Sequence, residues 1–241
     1  MRVALFVTCV NDALYPATGI ATVRLLERLG VEVHFPAAQT CCGQPQFNTG
    51  YRRETEPLVR RTARAFEGYE YVVTPSGSCA AMVREHYAEF GETSLPSRMY
   101  ELTEFLVDVL GVTDVGAYFP HTVTYHPSCH GLRMLGLGER PRKLLDAVKG
   151  LELRELPGAE ECCGFGGTFA VKNADVSLAM GQDKIRNAAS TGASVLCGAD
   201  NSCLMHIGGI LRRQGEHTSD APLRALHIAD ILSCTEEEPH R

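Results

Sequence analysis

Two short stretches decide the reading of this chain: Gln39-Thr40-Cys41-Cys42-Gly43-Gln44-Pro45, and Glu161-Cys162-Cys163-Gly164-Phe165-Gly166-Gly167, whose Cys-Cys-Gly returns 121 residues later. Around each pair the spacing repeats as well. Cys9 stands upstream of the first pair as Cys129 stands upstream of the second, and Cys79 and Cys203 follow them in the same order. Each half thus reads Cys, Cys-Cys-Gly, Cys. Flanking segments repeat too, with Val3-Ala4-Leu5-Phe6-Val7 ahead of Cys9 and Thr122-Val123-Thr124-Tyr125 ahead of Cys129. A period this long indicates duplicated units and not a solenoid.

Working outward, short apolar strands alternate with amphipathic helices. Residues 3–8, 31–35 and 71–74 read as strands, and 17–29, 52–67, 79–90 and 99–110 as helices. Gly30 sits where a helix C-terminus would need it. The second half is expected to give strands at 122–125, 151–156 and 193–197, with helices near 139–149, 174–190, 202–213 and 223–232. Such alternation predicts an α/β fold of two tandem pseudo-repeats, each a small, mostly parallel sheet flanked by helices. The expected domains are residues 1–115 and 120–235, with a disordered tail at 236–241. Cys9, Cys79, Cys129 and Cys203 each follow a strand, and ligands of open α/β sheets gather beyond the carboxyl ends of strands.

Composition narrows the function. At 241 residues and 44% hydrophobic, the chain is large enough to bury a core and too apolar to be disordered. The net charge of −6 argues against nucleic-acid partners. The apolar N-terminal run is too short for a signal peptide, and no stretch approaches the roughly 18–20 apolar residues of a membrane span. A cytoplasmic location follows as the expectation, and there ten cysteines read as metal ligands or redox groups, not as structural disulfides.

Four converging thiolates per half suit a tetrahedral zinc or an iron–sulfur cluster. Adjacent cysteines favour the cluster, because a group several Å across accepts both at different irons. Glycine after each pair lets backbone amides approach the sulfurs. The paired Cys-x-x-Cys knuckles of zinc ribbons are absent. Zinc and a redox disulfide stay open as alternatives. Cys197 and Cys234 have no counterpart in the other half and read as core packing. No G-x-G-x-x-G follows the first strand, so no nucleotide cofactor is expected. His126 and His130 flank Cys129, and His206 follows Cys203. Core-edge packing is the default for these histidines, with donation to a cluster sulfide or proton relay as the functional alternative.

The repeated pattern resembles the cysteine-rich CCG-domain family, which includes heterodisulfide reductase B subunits and the iron–sulfur subunit of glycolate oxidase. Pro75-Ser76-Gly77-Ser78-Cys79, Tyr125-His126-Pro127-Ser128-Cys129-His130 and Cys203-Leu204-Met205-His206 carry the likeness further, and the chain looks most similar to the L-lactate utilization protein A family. That resemblance implies one or two 4Fe–4S clusters, held by Cys9, Cys41, Cys42 and Cys79 and by Cys129, Cys162, Cys163 and Cys203. It implies an electron-transfer subunit in the oxidation of L-lactate to pyruvate, beside a ferredoxin-type iron–sulfur protein and a third small protein. The fullest form of the motif ends Cys-x-x-Cys, but here the first of that pair is Ser76 in one half and Asp200 in the other. Disulfide reduction is correspondingly disfavoured. Ser76 is expected to cap its turn, and Asp200 to cap a helix or supply an oxygen ligand.

Overall fold

The computed structural model describes residues 1–215 and 223–239, the side chains of 214 and 215 excepted. In the first half the chain runs β1 (Arg2–Leu5), α1 (Cys9–Leu14), α2 (Pro16–Arg28), β2 (Glu32–His34), α3 (Gln44–Asn48), α4 (Arg52–Ala65), β3 (Tyr71–Thr74), α5 (Gly77–Ala81), β4 (Met99–Glu101) and α6 (Leu102–Glu104). The second half follows with β5 (Thr122–His126), α7 (Arg140–Asp146), β6 (Glu152–Arg154), α8 (Phe169–Lys172), α9 (Ala174–Ser190), β7 (Val195–Gly198), α10 (Asn201–Gly215), β8 (Arg224–His227) and α11 (Ile228–Ser233). Two four-stranded sheets result, ordered β2-β1-β3-β4 and β6-β5-β7-β8. Every strand pair is parallel.

The α/β class and the tandem repeat are as the pattern predicts. Register shows the repeat residue by residue. Val3 pairs with Val33 and Tyr71, and Val123 pairs with Leu153 and Val195. Two expectations need correction. Residues 99–110 and 223–232 are not single helices: each begins with a short edge strand, β4 or β8, that turns at once into a helix. The joint residue does both jobs. Glu101 ends β4 and caps α6 by accepting from Thr103 N–H at 2.7 Å, and His227 ends β8 and caps α11 by accepting from Ala229 N–H at 3.1 Å. No loop punctuates either junction, so a strand of three or four residues merges with the helical pattern after it. Residues 79–90 also subdivide, as α5 is followed by a π-helical turn at Met82–His86 and a 3-10 turn at Tyr87–Phe90. At the C-terminus Thr235 N–H bonds Glu238 O at 3.1 Å and Glu238 N–H bonds Thr235 Oγ1 at 3.0 Å. Residues 240 and 241 of the expected tail lie outside the described residues.

The halves share a core. Pleating sends alternate residues of a strand to opposite faces. Val3, Val73, Val123 and Val195 point into one central cluster, where Leu25 and Leu26 of α2 meet Ile231 and Leu232 of α11, and Leu144 and Leu145 of α7 meet Phe105 and Leu106 beyond α6. This contact is reciprocal: the helix after the first strand of each half packs on the helix after the fourth strand of the other. Polar ties repeat the pattern. Arg28 donates to the carbonyls of Leu232 and Ser233 at 2.6 and 2.9 Å, and Arg140 donates to Asp108 at 2.7 Å. Cys197 and Cys234 are buried in this central cluster, as packing cysteines should be. Among the described residues no helix is long and apolar enough to cross a membrane.

At the carboxyl ends of β3 and β7 the two halves touch through polar groups. Asp200 Oδ1 accepts from Ser202 N–H at 3.1 Å in its own helix, and Oδ2 accepts from Ser78 N–H at 2.7 Å in α5 of the other half. One carboxylate therefore caps two helices. Ser76 caps α5 alone, accepting from Cys79 N–H at 3.4 Å. Asn201 donates to Asn11 Oδ1 and Thr18 Oγ1 at 2.9 and 3.0 Å and closes the seam. Loss of a capping side chain costs about 0.5–2 kcal/mol. Asp200→Ala is therefore expected to lose roughly twice as much stability as Ser76→Ala in urea denaturation. Equal losses would show that the bridging bond contributes nothing.

Candidate metal centre

The strand order places the switch point of each sheet between its first and third strands, β1 and β3 or β5 and β7, where α/β sheets open a crevice. Cys9 and Cys79 lie beyond β1 and β3, and Cys129 and Cys203 beyond β5 and β7. The Cys-Cys pairs enter from the loops after β2 and β6. All eight candidate residues come together as two quartets. In the first, Cys9 contacts Cys41, Cys41 contacts Cys42, and the Cys42 and Cys79 sulfurs lie 3.2 Å apart. In the second, Cys129 contacts Cys162, Cys162 contacts Cys163, and Cys163 contacts Cys203. All ten cysteines are free of disulfides.

Local structure aims each pair. Gly43 and Gly164 both have left-handed backbone, with φ of +88° and +90°, a turn that glycine enters without strain. Gly43 N–H then reaches Cys41 Sγ at 3.4 Å, and Gly164 N–H reaches Cys162 Sγ at 3.3 Å. Gln39 bolts the first loop to the end of β1, accepting from Val7 N–H and donating to Leu5 O, both at 2.9 Å. Tyr87 OH donates to Cys42 O at 3.0 Å, and Ser177 Oγ donates to Gly164 O at 2.8 Å. Thr8, just before Cys9, is the only non-glycine residue with positive φ among those described, and is held at +76°.

Electrostatics sets the ionisation order. Cys41 is held down to about 3 by hydrogen bonds from Cys42 and Cys9, against the opposing effect of burial. Cys162 is held down to about 2 by those from Cys129 and Cys163. Their neighbours Cys9, Cys42, Cys129 and Cys163 are pushed up, first by donating to that thiolate and then by burial. So each quartet carries one ready thiolate, and Cys9, Cys42, Cys129 and Cys163 ionise only if positive charge arrives among them. This donor set fits a cationic metal or an iron–sulfur cluster.

The second quartet opens on a cavity of about 70 Å³ lined by its four cysteines, Gly166, Gly167 and Ser78 of the other half. The histidines divide there. His130 Nε2 bonds Gln44 Nε2 at 3.1 Å, and His206 Nε2 lies 3.2 Å from Ser177 O. His126 is buried, its basicity lowered to about 4 by desolvation and then by Lys184. A donor nitrogen of His126 and the sulfurs of Cys163 and Cys203 all lie within 4.8 Å of one another. Asp200 and Ser76 act as caps, as described above. A larger open depression of about 430 Å³, lined by Arg60, Arg64 and Arg98, contains no cysteine.

Two measurements test this geometry. With metal removed and all thiols reduced, at pH about 6, iodoacetamide is expected to label Cys41 and Cys162 first, because pH lies above their pKa and below those of their neighbours. Peptide mapping that finds the exposed Cys9 labelled first would reverse the order. A Cβ on Gly164 would fall 2.4 Å from Ser177 O, whereas one on Gly43 meets the Thr55 methyl at 3.2 Å. Both substitutions incur left-handed strain of about 1–3 kcal/mol. Gly164→Ala should therefore destabilise more than Gly43→Ala in urea denaturation, and equal losses would contradict the close approach.

Comparison with known proteins agrees with the repeat. The cysteine-rich CCG domain matches residues 3–84 and again 123–208. Lactate utilization protein A of Oceanobacillus iheyensis is 48% identical over 245 residues, covering 98% of both chains. Lactate utilization protein A of Geobacillus thermodenitrificans is 51% identical over 241 residues, covering 97% of this chain and 99% of its own. A solved structure of a hypothetical protein from Helicobacter pylori shares the fold with a TM-score of 0.61 at 10% identity, over 96% of this chain and 48% of that one. With near-full-length relatives at about half identity and two CCG matches, the chain belongs to the lactate utilization protein A family of cysteine-rich CCG-domain proteins.

Proposed function

We propose that this protein is an iron–sulfur electron-transfer component of a system oxidising L-lactate to pyruvate, with a 4Fe–4S cluster at one or both quartets. The observation that carries the reading is the convergence of four sulfurs at each switch point, each set with a glycine amide 3.3–3.4 Å from the ionised cysteine. The names of the relatives support lactate as the substrate of the system. A bound cluster would supply a one-electron redox centre. Oxidation of lactate to pyruvate releases two electrons, and two quartets match that number.

The residues of the chain do the holding and tuning. Cys9, Cys41, Cys42 and Cys79 would hold the first cluster, and Cys129, Cys162, Cys163 and Cys203 the second. The Gly43 and Gly164 amides offset negative charge at the sulfurs, and burial of Cys42, Cys79 and Cys163 keeps water from the inner side. Cys9 stays exposed, so the first site has an outward edge at which a partner can dock. The partners in this reading are a ferredoxin-type iron–sulfur protein and a third small protein, and the setting is cytoplasmic. Ser76 and Asp200 are both engaged as caps, which gives no support to a disulfide-reducing site. One observation favours a second reading, a zinc-stabilised scaffold: His126, Cys163 and Cys203 are close enough to share a single ion.

Anaerobically prepared protein is expected to be brown, with roughly eight irons and eight sulfides per chain when both sites fill. Cys79→Ala and Cys203→Ala should each remove about half of the iron and one part of the reduced EPR signal. Colourless protein carrying about one zinc per half would overturn the cluster reading.

A further inference from the structure

The strand registers align β1 with β5 at a constant offset, since Arg2, Val3 and Ala4 pair with Glu32, Val33 and His34 as Thr122, Val123 and Thr124 pair with Glu152, Leu153 and Arg154. Carried two residues beyond Ala4 and Thr124, the alignment sets Phe6 against His126. Both are buried on the face that carries the inner cysteines, because residues two apart on a strand share a face. Phe6 fills its place as an apolar side chain, edge-on to Phe66 at 5.1 Å and clustered with Cys42 and Cys79. His126 fills the equivalent place with two ring nitrogens, neither of which has a hydrogen-bond partner.

Among the described residues nothing satisfies this imidazole. Lys184, whose charge acts on it, spends its ammonium on the Gly158 carbonyl at 2.6 Å. The neighbouring histidines are engaged elsewhere, His130 with Gln44 and His206 with Ser177. A buried polar ring with no partner is costly. This one lies within ligand reach of the Cys163 and Cys203 sulfurs.

We propose that His126 is a nitrogen ligand to the metal group of the second quartet, so that the two sites differ in kind: sulfur-only beside Phe6, sulfur and nitrogen beside His126. The proposal rests on the reading that the quartets bind metal. Where the imidazole takes the place of one of the four thiolates at an iron, the site carries one negative charge less, and this raises its reduction potential. The second site then becomes the better electron acceptor, and electrons pass from the first quartet to the second.

The test uses the full chain, labelled with ¹⁵N-histidine, loaded anaerobically with ferrous iron and sulfide, and reduced. Cys79→Ala isolates the second site and Cys203→Ala isolates the first. Pulsed EPR is expected to show strong ¹⁵N hyperfine coupling in the Cys79→Ala protein and none in the Cys203→Ala protein. Adding His126→Phe to Cys79→Ala should abolish the coupling and lower the midpoint potential. Should that variant not fold, the labelled histidine-containing proteins decide alone. Iron at the second site with weak or no nitrogen coupling would overturn the ligand assignment and leave the proposed function standing. Absence of iron and sulfide from both quartets would remove both.

Discussion

The Asp200 carboxylate accepts hydrogen bonds from the first turns of two helices that belong to different halves of the chain. Each of those turns carries a quartet cysteine one residue further on, Cys79 after Ser78 and Cys203 after Ser202. A single buried anion thus sets the separation of the β3 and β7 ends, and with it the position of the inner cysteine at each site. Asn201, Asn11 and Thr18 extend the same polar seam, and the central apolar cluster lies beneath it. The two candidate centres are consequently parts of one rigid frame, and a disturbance of either strand end reaches both.

The crowding of sulfur makes each site suited to a positively charged occupant. The thiols in contact stabilise one thiolate per quartet by hydrogen bonding, and the ionisation of Cys9, Cys42, Cys129 and Cys163 is opposed. The glycine amides help only the cysteine that is already ionised. What such a pocket lacks is positive charge, and a metal group would supply it. Membership of the lactate utilization protein A family accords with this chemistry, and the exposed Cys9 shows which side of the first site faces outward.

Much of this was legible in the residues themselves. The Cys-Cys-Gly repeat and its flanking strands revealed the duplication, because ligand spacing and strand pattern recur together. Ser76 and Asp200 were readable as caps because both precede helical turns. The edge strands β4 and β8 were hidden, since Glu101 and His227 end a strand and begin a helix with no turn residue between. The special place of His126 was also hidden. A histidine two residues beyond Thr124 looks like any other until the register sets it opposite Phe6 and shows both ring nitrogens unpartnered.

The reciprocal packing of α2 on α11 and of α7 on the segment beyond α6 is the interface of a two-fold dimer, made here within one chain. In a dimer of identical subunits, each position near the axis meets a copy of itself. Asp200 would then face a second aspartate and repel it, and serine would face serine with no anion to share. Fusion lifts that restriction. Ser76 stands opposite Asp200 in the seam, and Phe6 occupies one strand end while His126 occupies the other. Covalent linkage therefore gives the molecule a direction, from one half to the other across its pseudo-symmetry axis, that no assembly of equal halves has.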